Sequence, residues 1–523
     1  MVLEFGGGSG EIRRGARMKI IHNIALRLDE NESLAFDRAV KLSGLKARDI
    51  RAMHIAKRSV DARKKNDIKL VYSVRIEEKS DKPIVREFPQ IKSAQRPVVV
   101  GFGPAGMFCA LRLARHGLKP LVLERGSDVQ TRARKTAAYW AGGALDPECN
   151  VQFGEGGAGT FSDGKLTTLI GDPLCEEVLA DFAAFGAPRE ILWEAKPHIG
   201  TDNLPRVVRN LREEILRLGG EIRFDTRAED FEIAGGALVA LRANGERIEV
   251  SELVLAVGHS ARDTYRTLLA KGVAAQAKAF SAGVRIEHLA ENINRAQYGE
   301  AWRHPKLGAA DYKLSFRNES GDSAYTFCMC PGGSVVASSS EPDGIVTNGM
   351  SEFARDGINS NSALLVGVSF ATPEEGIEFQ RKLERGAFLL GEGRAPCQRV
   401  GDFLAERNSA EFGEVRPTYL PGVALRDLNG LLGTRISGVL REAIPALDRK
   451  LRGFAHPDSL LTAPETRSSS PLRFVRGENG ESLNVAGLFP CGEGCGYAGG
   501  IMSAAVDGLR AADAVIRKIR SKT

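Results

Sequence analysis

Apolar and polar residues alternate near the start of the chain, a pattern typical of β-strands with one buried face. Alternation over residues 24–28 predicts a first strand, and residues 33–42 fit a helix that begins at a serine and ends before a glycine. A second strand is predicted over 50–55 and a third over 70–76, where the alternation is regular. The order βαββ indicates a small domain, which we assign to residues 18–80.

The pattern changes after this domain. Residues 81–96 combine prolines and charges with little periodicity and are predicted to be a linker. From 97 to 264, short apolar strands are followed by helical patterns, which indicates a parallel sheet with crossover helices. Strand-like and long helical runs fill 265–475, and the glycine-rich motif after them, in 476–523, belongs with the first sheet. The predicted fold class is α/β: a Rossmann-like domain with an interrupted parallel sheet, an inserted mixed α+β domain, and the small N-terminal βαββ domain.

Composition places the chain among multi-domain globular proteins. It has 523 residues, of which 43% are hydrophobic and 26% are charged, so the disordered, collagen-like and coiled-coil classes are excluded. The longest uncharged apolar run, over 98–111, is shorter than the about 20 residues that a membrane-spanning helix needs. The eight cysteines show neither a disulfide framework nor metal-ligand spacing, so we expect no bound metal.

The first residues give an expectation about location. Residues 1–17 carry arginines and a run of glycines but no apolar segment, and we interpret them as a flexible leader rather than an export signal. Thiols without a disulfide pattern are typical of reducing compartments. A cytoplasmic protein without a membrane span is therefore expected.

The positive charge is concentrated in the N-terminal domain. The whole chain has a formal net charge of +6, whereas residues 18–92 alone contain 18 Lys+Arg and 11 Asp+Glu. Basic surfaces attract the phosphates of nucleic acids. No aromatic residue is interleaved with the charges of the most basic stretch, 44–69, as stacking on bases would require. We interpret the charges as a solvated face, and a nucleic-acid partner is not expected.

The sharpest local signal follows the apolar strand at 97–100. Three glycines there are spaced as GxGxxG: the first permits a tight turn, the second a close approach of backbone to a pyrophosphate, and the third close packing of helix on strand. The predicted turn consists of Gly101, Gly103, Pro104, Ala105 and Gly106. A second strand ends at Glu124 and Arg125, where a carboxylate can bind ribose hydroxyls and would repel a 2′-phosphate. The motif predicts a bound dinucleotide and leaves FAD and NAD open.

Two further elements favour FAD. A buried strand over 253–257 ends at Gly258, a turn that can return the chain beneath a cofactor. Near the C-terminus another apolar strand precedes an acid that can bind ribityl hydroxyls, and a helix whose N-terminus can stabilise negative charge. The residues predicted to contact the cofactor there are Gly492, Glu493, Gly499, Gly500 and Ile501.

With these elements in this order, the chain resembles the flavoprotein superfamily with two dinucleotide-binding motifs. More narrowly, it is similar to a family of bacterial FAD-dependent dehydrogenases, through the strings at 154–165, 328–333 and 466–471 and the Gly492-Glu493 pair. The resemblance extends from about Met18 to the end and implies FAD, with a glycine-rich loop along the isoalloxazine ring. Its predicted contacts are Gly156, Gly157, Gly159 and Thr160. The wider superfamily usually has aspartate at the position of Glu493.

Several side chains are candidates for the chemistry. Cys328 and Cys330 are two residues apart on a predicted strand, hence on one face, and Cys330 before a Pro-Gly-Gly turn is predicted to be catalytic, with its sulfur at the mouth of a pocket and Cys328 further inside. Core packing is the alternative for both thiols, and the spacing argues against a disulfide between them. Arg467 and Arg473 are predicted to bind an anionic substrate, with surface ion pairs as the alternative.

These residues together predict an FAD-dependent oxidoreductase that transfers a hydride at flavin N5 to or from a small-molecule substrate. No second GxGxxG unit is present, so NAD(P)H would bind only transiently. Two alternatives stay open: an RNA-modifying flavoenzyme that uses the basic N-terminal domain, and a non-catalytic FAD-bound sensor or assembly factor. No feature of the sequence specifies an oligomeric state.

Overall fold

The computed structural model of the protein describes residues 19–81 and 86–522. Its strands are β1 Lys19–Arg27, β2 Ile50–Asp61, β3 Lys69–Glu78, β4 Val98–Val100, β5 Leu121–Leu123, β6 Glu221–Arg223, β7 Ala228–Ala234, β8 Ala237–Ala243, β9 Glu246–Glu249, β10 Leu253–Leu255, β11 Ala275–Ala277, β12 Phe280–Leu289, β13 Ser315–Arg317, β14 Ser323–Cys330, β15 Ser334–Ala337, β16 Thr347–Met350, β17 Asn359–Val368, β18 Ala395–Arg399, β19 Val423–Leu425, β20 Leu460–Glu465, β21 Leu472–Phe474 and β22 Leu488–Pro490. Its α-helices are α1 Ser33–Ser43, α2 Pro104–Arg115, α3 Val129–Trp140, α4 Leu174–Ala184, α5 Leu204–Arg217, α6 Arg262–Ala270, α7 Ala290–Tyr298, α8 Pro373–Leu390, α9 Val400–Leu404, α10 Leu428–Asp448 and α11 Ile501–Lys522. The predicted leader lies outside the described residues, as do residues 82–85 of the predicted linker.

The N-terminal domain has the predicted βαββ order. Its antiparallel sheet has the strand order β1-β3-β2, and α1 packs on it through the buried Ala35 and Ala39. The helix ends at Gly44, which has a φ of 71° and so adopts a conformation that suits glycine. The domain contacts the next one through β2, where the Arg58 amide donates to the Trp193 carbonyl over 2.7 Å.

The predicted parallel sheet is present and has the strand order β22-β10-β4-β5-β6. Its strands alternate between two cores. The middle residues of four strands, such as Val99 and Val254, face α2, α4, α5 and α11. Their neighbours, such as Val100 and Leu255, face the antiparallel sheet β7-β8-β9 and α6. Because the strands are parallel, their carboxyl ends meet at one edge, where α/β proteins bind ligands.

The inserted domain leaves and rejoins this part of the chain through one ribbon, in which β11 pairs antiparallel with β21. Its main sheet has seven strands in the order β13-β14-β17-β12-β20-β18-β19. The long helix α10 packs against this sheet, and residues such as Leu440 and Ile444 are buried between them. The predicted fold class is confirmed, whereas the exact domain bounds stay a prediction.

None of the helices in the described ranges is both long enough and apolar enough to cross a lipid bilayer.

Candidate functional site

A cleft of about 480 Å³ opens where the carboxyl ends of β4, β5, β10 and β22 meet the inserted domain. The turn after β4 forms its floor. A Cβ atom on Gly101 would lie 2.3 Å from the Ala256 carbonyl oxygen, and one on Gly106 would lie 1.9 Å from the Gly101 carbonyl oxygen. Both distances are far inside van der Waals contact, so the turn and the packing of α2 on β4 require glycine at these positions.

Gly103 differs from its two neighbours because the space above it is open. A Cβ atom there would lie 3.5 Å from the Gly157 Cα, an ordinary contact. Gly103 precedes the first residue of α2, and Gly103, Pro104 and Ala105 all line the cleft. The helix N-terminus therefore directs its partial positive charge into the cleft, an arrangement that suits a phosphate group.

Glu124 lies at the end of β5 and is 5% exposed. Its carboxylate accepts hydrogen bonds from the backbone amides of Phe102 at 2.7 Å, Gly154 at 2.9 Å and Gly126 at 3.0 Å. The side chain thus joins the β4 turn to the glycine-rich loop. Glu124 also lines the cleft, and a carboxylate can accept about four hydrogen bonds, so one remains for a ligand hydroxyl.

Arg125 lines the same end of the cleft, but its donors are largely engaged. Its guanidinium binds Glu148 and Asp263 over distances of 2.9 to 3.1 Å, and it stacks 4.1 Å above the Phe153 ring. We conclude that Arg125 contributes to the wall of the cleft with its planar guanidinium group and not as a hydrogen-bond donor to a ligand.

The glycine-rich loop is held from behind by Arg132, which is fully buried. Its guanidinium donates to five backbone carbonyls, those of Asn150, Val151, Gly154, Glu155 and Gly157. Burial lowers the pKa of Arg132 to about 10, so the side chain is charged at neutral pH. One buried cation therefore fixes the path of the whole loop.

The loop presents only some of the predicted residues. Gly157 and Gly159 line the cleft, whereas Gly156 and Thr160 do not. A Cβ atom on Gly156 would lie 2.0 Å from the Thr160 Oγ1 and close to Val208 of α5. Gly156 and Thr160 therefore face the protein core, and their contact with the cofactor stays a prediction.

The C-terminal motif lines the cleft as predicted, with Gly492, Glu493, Gly499, Gly500 and Ile501 among the lining residues. Helix α11 begins at Ile501, so its N-terminus also faces the cleft. Gly258, after β10, lies alongside, and the next residue, His259, places its Nδ1 3.3 Å from the Glu493 Oε1. The other nitrogen of that ring, Nε2, is buried and has no hydrogen-bond partner.

The opposite wall comes from the inserted domain. It includes the aromatic and apolar side chains of Tyr312, Phe327 and Met329, and the polar ones of Asn348 and Glu465. The Tyr312 hydroxyl is 2.9 Å from the Ser362 Oγ. This wall therefore combines apolar surface, which excludes water, with a few oriented polar groups, as small-molecule sites do.

The two thiols are arranged in the opposite way to the prediction. Cys328 lines the cleft, whereas Cys330 is fully buried and does not. The strand is irregular at this point: Cys328 has a φ of 44°, and the pairing of β14 with β17 shifts register between Phe327 and Cys330. A regular strand was assumed in placing Cys330 at the mouth of a pocket, and the irregularity exposes Cys328 instead.

The two predicted substrate-binding arginines occupy different places. Arg467 is 8% exposed; its Nε and Nη2 bind Glu384 at 2.9 Å, and its Nη1 donates to Ser260 and Ser340 at 2.8 Å. Arg467 lines part of the cleft, but its four hydrogen bonds link the inserted domain to the domain of the parallel sheet. Arg473 donates to the Gly496 carbonyl and is not among the lining residues. Arg473 therefore lies outside the cleft lining, and its role in binding substrate stays a prediction.

Three charged residues of the cleft were missed as separate candidates. Lys165 ends the glycine-rich string, and its Nζ is buried without a hydrogen-bond partner. Asp163 beside it is held by Arg355, with Nε 3.0 Å from Oδ1. The string 154–165 was the available signal for Lys165 and Asp163, while Arg355 lies 192 positions from Asp163 and has no local signal.

Comparison with known proteins adds three family models. Residues 95–299 match a model described as pyridine nucleotide-disulphide oxidoreductase, and residues 279–468 match one described as FAD-dependent protein, C-terminal domain-like. Residues 18–77 match a domain of unknown function. An uncharacterized protein of Clostridium beijerinckii is 49% identical over 524 residues, which cover 95% of this chain and 98% of that protein.

The solved structures that match this chain are more distant in sequence. The glycerol-3-phosphate dehydrogenase from Bacillus halodurans complexed with FAD is 10% identical, with a TM-score of 0.35, over 82% of this chain and 66% of that one. A geranylgeranyl bacteriochlorophyll reductase-like protein from Thermoplasma acidophilum is 12% identical, with a TM-score of 0.36, over 82% of this chain and 79% of that one.

Proposed function

The chain belongs to a family of FAD-dependent oxidoreductases that includes the Clostridium beijerinckii relative, and from this premise we propose that it transfers a hydride between FAD and a small-molecule substrate. One observation carries the proposal: a single cleft is lined by the dinucleotide-binding turns of the parallel sheet and by polar side chains of the inserted domain. A cofactor held by the first set would thus have a substrate space beside it.

The residues of the sheet edge fit FAD. The open space above Gly103 and the N-terminus of α2 suit a pyrophosphate, which would clash with any larger side chain at that position. Glu124 would accept hydrogen bonds from the adenosine ribose hydroxyls with its remaining capacity. At the other end of the cleft, Glu493 would bind the ribityl hydroxyls, since its carboxylate is 25% exposed there.

The N-terminus of α11 would serve the reactive part of the cofactor. FAD, when bound, supplies a flavin ring that accepts or gives a hydride at N5. Gly500 and Ile501 line the cleft at the start of this long helix, whose dipole stabilises negative charge at its N-terminus. Residues 499–501 would therefore hold an anionic ring edge in place.

His259 is the side chain we assign to proton movement. Glu493 binds its Nδ1, which fixes the orientation of the ring and favours a proton on that nitrogen. Its Nε2 is buried without a hydrogen-bond partner among the described residues, and His259 lines the cleft. We assign the exchange of a proton with a substrate group to this nitrogen.

The test is an anaerobic titration of the FAD-loaded protein with NADH and NADPH while the flavin absorbance is followed. Bleaching by either nucleotide, and reoxidation by a fraction of a metabolite extract, is the expected result. Gly103→Val protein, which should lack FAD, is the matched control for absorbance changes outside the site. A flavin that is reduced by no hydride donor, and that after chemical reduction is reoxidised by no metabolite fraction, would contradict the proposal and favour the non-catalytic sensor.

A further inference from the structure

The irregular end of β14 brings two thiols together. In a regular strand the side chains of residues i and i+2 project in parallel. Here Cys328 adopts a left-handed conformation, and the Cys330 thiol donates a hydrogen bond to the Cys328 carbonyl oxygen over 3.4 Å. A left-handed φ is uncommon and strained in a non-glycine residue, and strained backbone of this kind clusters at functional sites. This geometry removes the objection to a disulfide that the two-residue spacing raised.

The charged side chains around Cys328 have one positive charge in excess when the thiol of Cys328 is neutral. Two guanidinium groups are each paired: Arg285 with Glu465, at 2.7 Å to each oxygen, and Arg355 with Asp163. The Lys165 Nζ is buried, makes no hydrogen bond with any residue that the structure describes, and lies 3.6 Å from Asp163, which Arg355 already binds.

A buried ammonium that shares its carboxylate partner with an arginine is only partly neutralised, which is costly. The charged and titratable groups that face Cys328 are Lys165, Arg285, Asp163, Glu465 and Cys330. Among them and Arg355 there are three cations and two carboxylates, so one negative charge on a thiol makes the cluster neutral.

Cys328 is the thiol that carries this charge. A hydrogen bond from Cys330 lowers the pKa of Cys328, burial opposes the effect, and the positive charges of Lys165 and Arg285 lower the pKa further. The same hydrogen bond, together with burial, raises the pKa of Cys330. Because Cys328 faces the cleft and Cys330 lies behind it, the first can attack a ligand and the second can attack only Cys328.

We propose that Cys328 and Cys330 form a redox-active dithiol whose substrates are low-molecular-weight disulfides, an inference that rests on the proposed oxidoreductase function. The match to the pyridine nucleotide-disulphide oxidoreductase model ends at residue 299, before both cysteines, and therefore does not assign them. Among the cysteines within that match, Cys109 and Cys149 are buried and Cys175 is partly exposed, and all three are free.

The exchange proceeds in two steps. The Cys328 thiolate attacks one sulfur of the substrate disulfide, a mixed disulfide forms, and the first substrate thiolate leaves and takes a proton from solvent. Cys330 then gives up its proton and attacks the Cys328 sulfur, which releases the second substrate thiol and leaves a Cys328–Cys330 disulfide. The substrate gains two electrons and the protein dithiol loses two. A hydride donor such as a reduced nicotinamide returns the two electrons in the next cycle.

Trapping with oxidised glutathione tests the pair of thiols directly. Reduced, FAD-loaded protein is treated anaerobically and analysed by intact and peptide mass spectrometry. Wild type should form the Cys328–Cys330 disulfide without a stable adduct, whereas Cys330→Ser should retain one glutathione on Cys328. Cys175→Ser, which removes a partly exposed thiol elsewhere, should behave as wild type. Absence of the internal disulfide in wild type, or trapping on another cysteine in Cys330→Ser, would overturn the proposal.

A second measurement tests the thiolate. Alkylation of Cys328 by iodoacetamide near pH 7 should slow about tenfold or more in Lys165→Met, because an unperturbed thiol is only a few per cent ionised there. The matched control is Lys196→Met at the rim of the cleft, where the ammonium pairs with Asp311 at 2.7 Å. Equal rates in wild type and Lys165→Met would contradict the inference.

Flavin bleaching measured on the same preparations separates the two proposals. If the flavin is bleached normally but no Cys328–Cys330 disulfide forms, only the proposal of a redox-active dithiol is contradicted. If the Cys328–Cys330 disulfide forms but no hydride donor bleaches the flavin, the proposed hydride transfer is contradicted instead.

Discussion

Arg467 and Glu384 form a two-point ion pair in the interior of the protein, with each side chain only 3% exposed. Glu384 also binds Arg262 of α6 through both of its oxygens, at 2.9 and 3.0 Å. One carboxylate on α8 therefore holds two buried guanidinium groups, one of them from the helix that follows β10. The contact between Arg262 and Glu384 joins the domain of the parallel sheet to the inserted domain.

Replacing Glu384 should destabilise the protein strongly. Glu384→Ala removes the carboxylate that Arg467 binds and leaves Arg262 paired with Glu341 alone. The loss of a partner from such a buried pair costs about 3 to 5 kcal/mol. Urea denaturation followed by fluorescence would measure it. The matched control is Glu378→Ala on the same helix, whose side chain is 62% exposed and should cost less than about 1 kcal/mol. Equal effects of the two substitutions would mean that the buried network does not hold the domains together.

Two glycines of the first turn should respond differently to valine. Gly103→Val should fold normally and lose FAD, because a Cβ there meets nothing closer than 3.5 Å in the protein but the side chain enters the cleft. Gly106→Val should fail to fold well, since its Cβ would overlap the Gly101 carbonyl oxygen at 1.9 Å. Flavin absorbance per protein and circular dichroism distinguish the outcomes. Retention of FAD by a folded Gly103→Val variant would refute the assignment of this turn to the pyrophosphate.

The sequence was sufficient to predict those features that depend on contacts between residues close together in the chain. The spacing of Gly101 and Gly106 reflects contacts within one turn, and the alternation in 70–76 reflects one strand with one buried face, so both could be read directly. The fold class, the FAD cofactor and the oxidoreductase class predicted in this way are confirmed.

The sequence was insufficient where a side chain depends on distant partners. Arg467 meets Glu384 across 83 positions, and nothing near Arg467 indicates that its donors are already used. The register shift at Cys328 depends on the pairing of β14 with β17. Because of this register shift, Cys328 lies at the cleft and Cys330 is buried, which is the reverse of the prediction. Side chains alternate between the two faces of a strand only while the strand is regular.

Glu493 should contribute to FAD affinity. If its carboxylate binds the ribityl hydroxyls, Glu493→Ala should weaken binding by about 1 to 3 kcal/mol, the range for losing a charged hydrogen-bond partner. Titration of the apoprotein with FAD, followed by flavin fluorescence, gives the dissociation constant. Glu478→Ala, an exposed acid away from the cleft, is the control and should leave it unchanged. An unchanged constant for Glu493→Ala would restrict the role of this residue to orienting His259.

Glu155 should make stability depend on pH. Its side chain is fully buried behind the glycine-rich loop, where it accepts hydrogen bonds from the Val129 amide at 2.7 Å and from Arg212 at 2.9 Å. Burial raises the pKa of this carboxyl from 4.5 to about 7, so the folded state holds the proton more tightly than the unfolded state does. The free energy of unfolding should therefore decrease as the pH rises from 4.5 to about 7 and should level off above that.

Glu155→Gln removes the titrating group and should flatten this dependence, by at most about 1.4 kcal/mol per pH unit. Urea denaturation at several pH values between 4.5 and 8 measures the slope. Glu213→Gln on α5, where the acid is 62% exposed, is the control and should keep the wild-type slope. If Glu155→Gln and wild type have the same slope, Glu155 is ionised in both states, and the ion pair with Arg212 outweighs its burial.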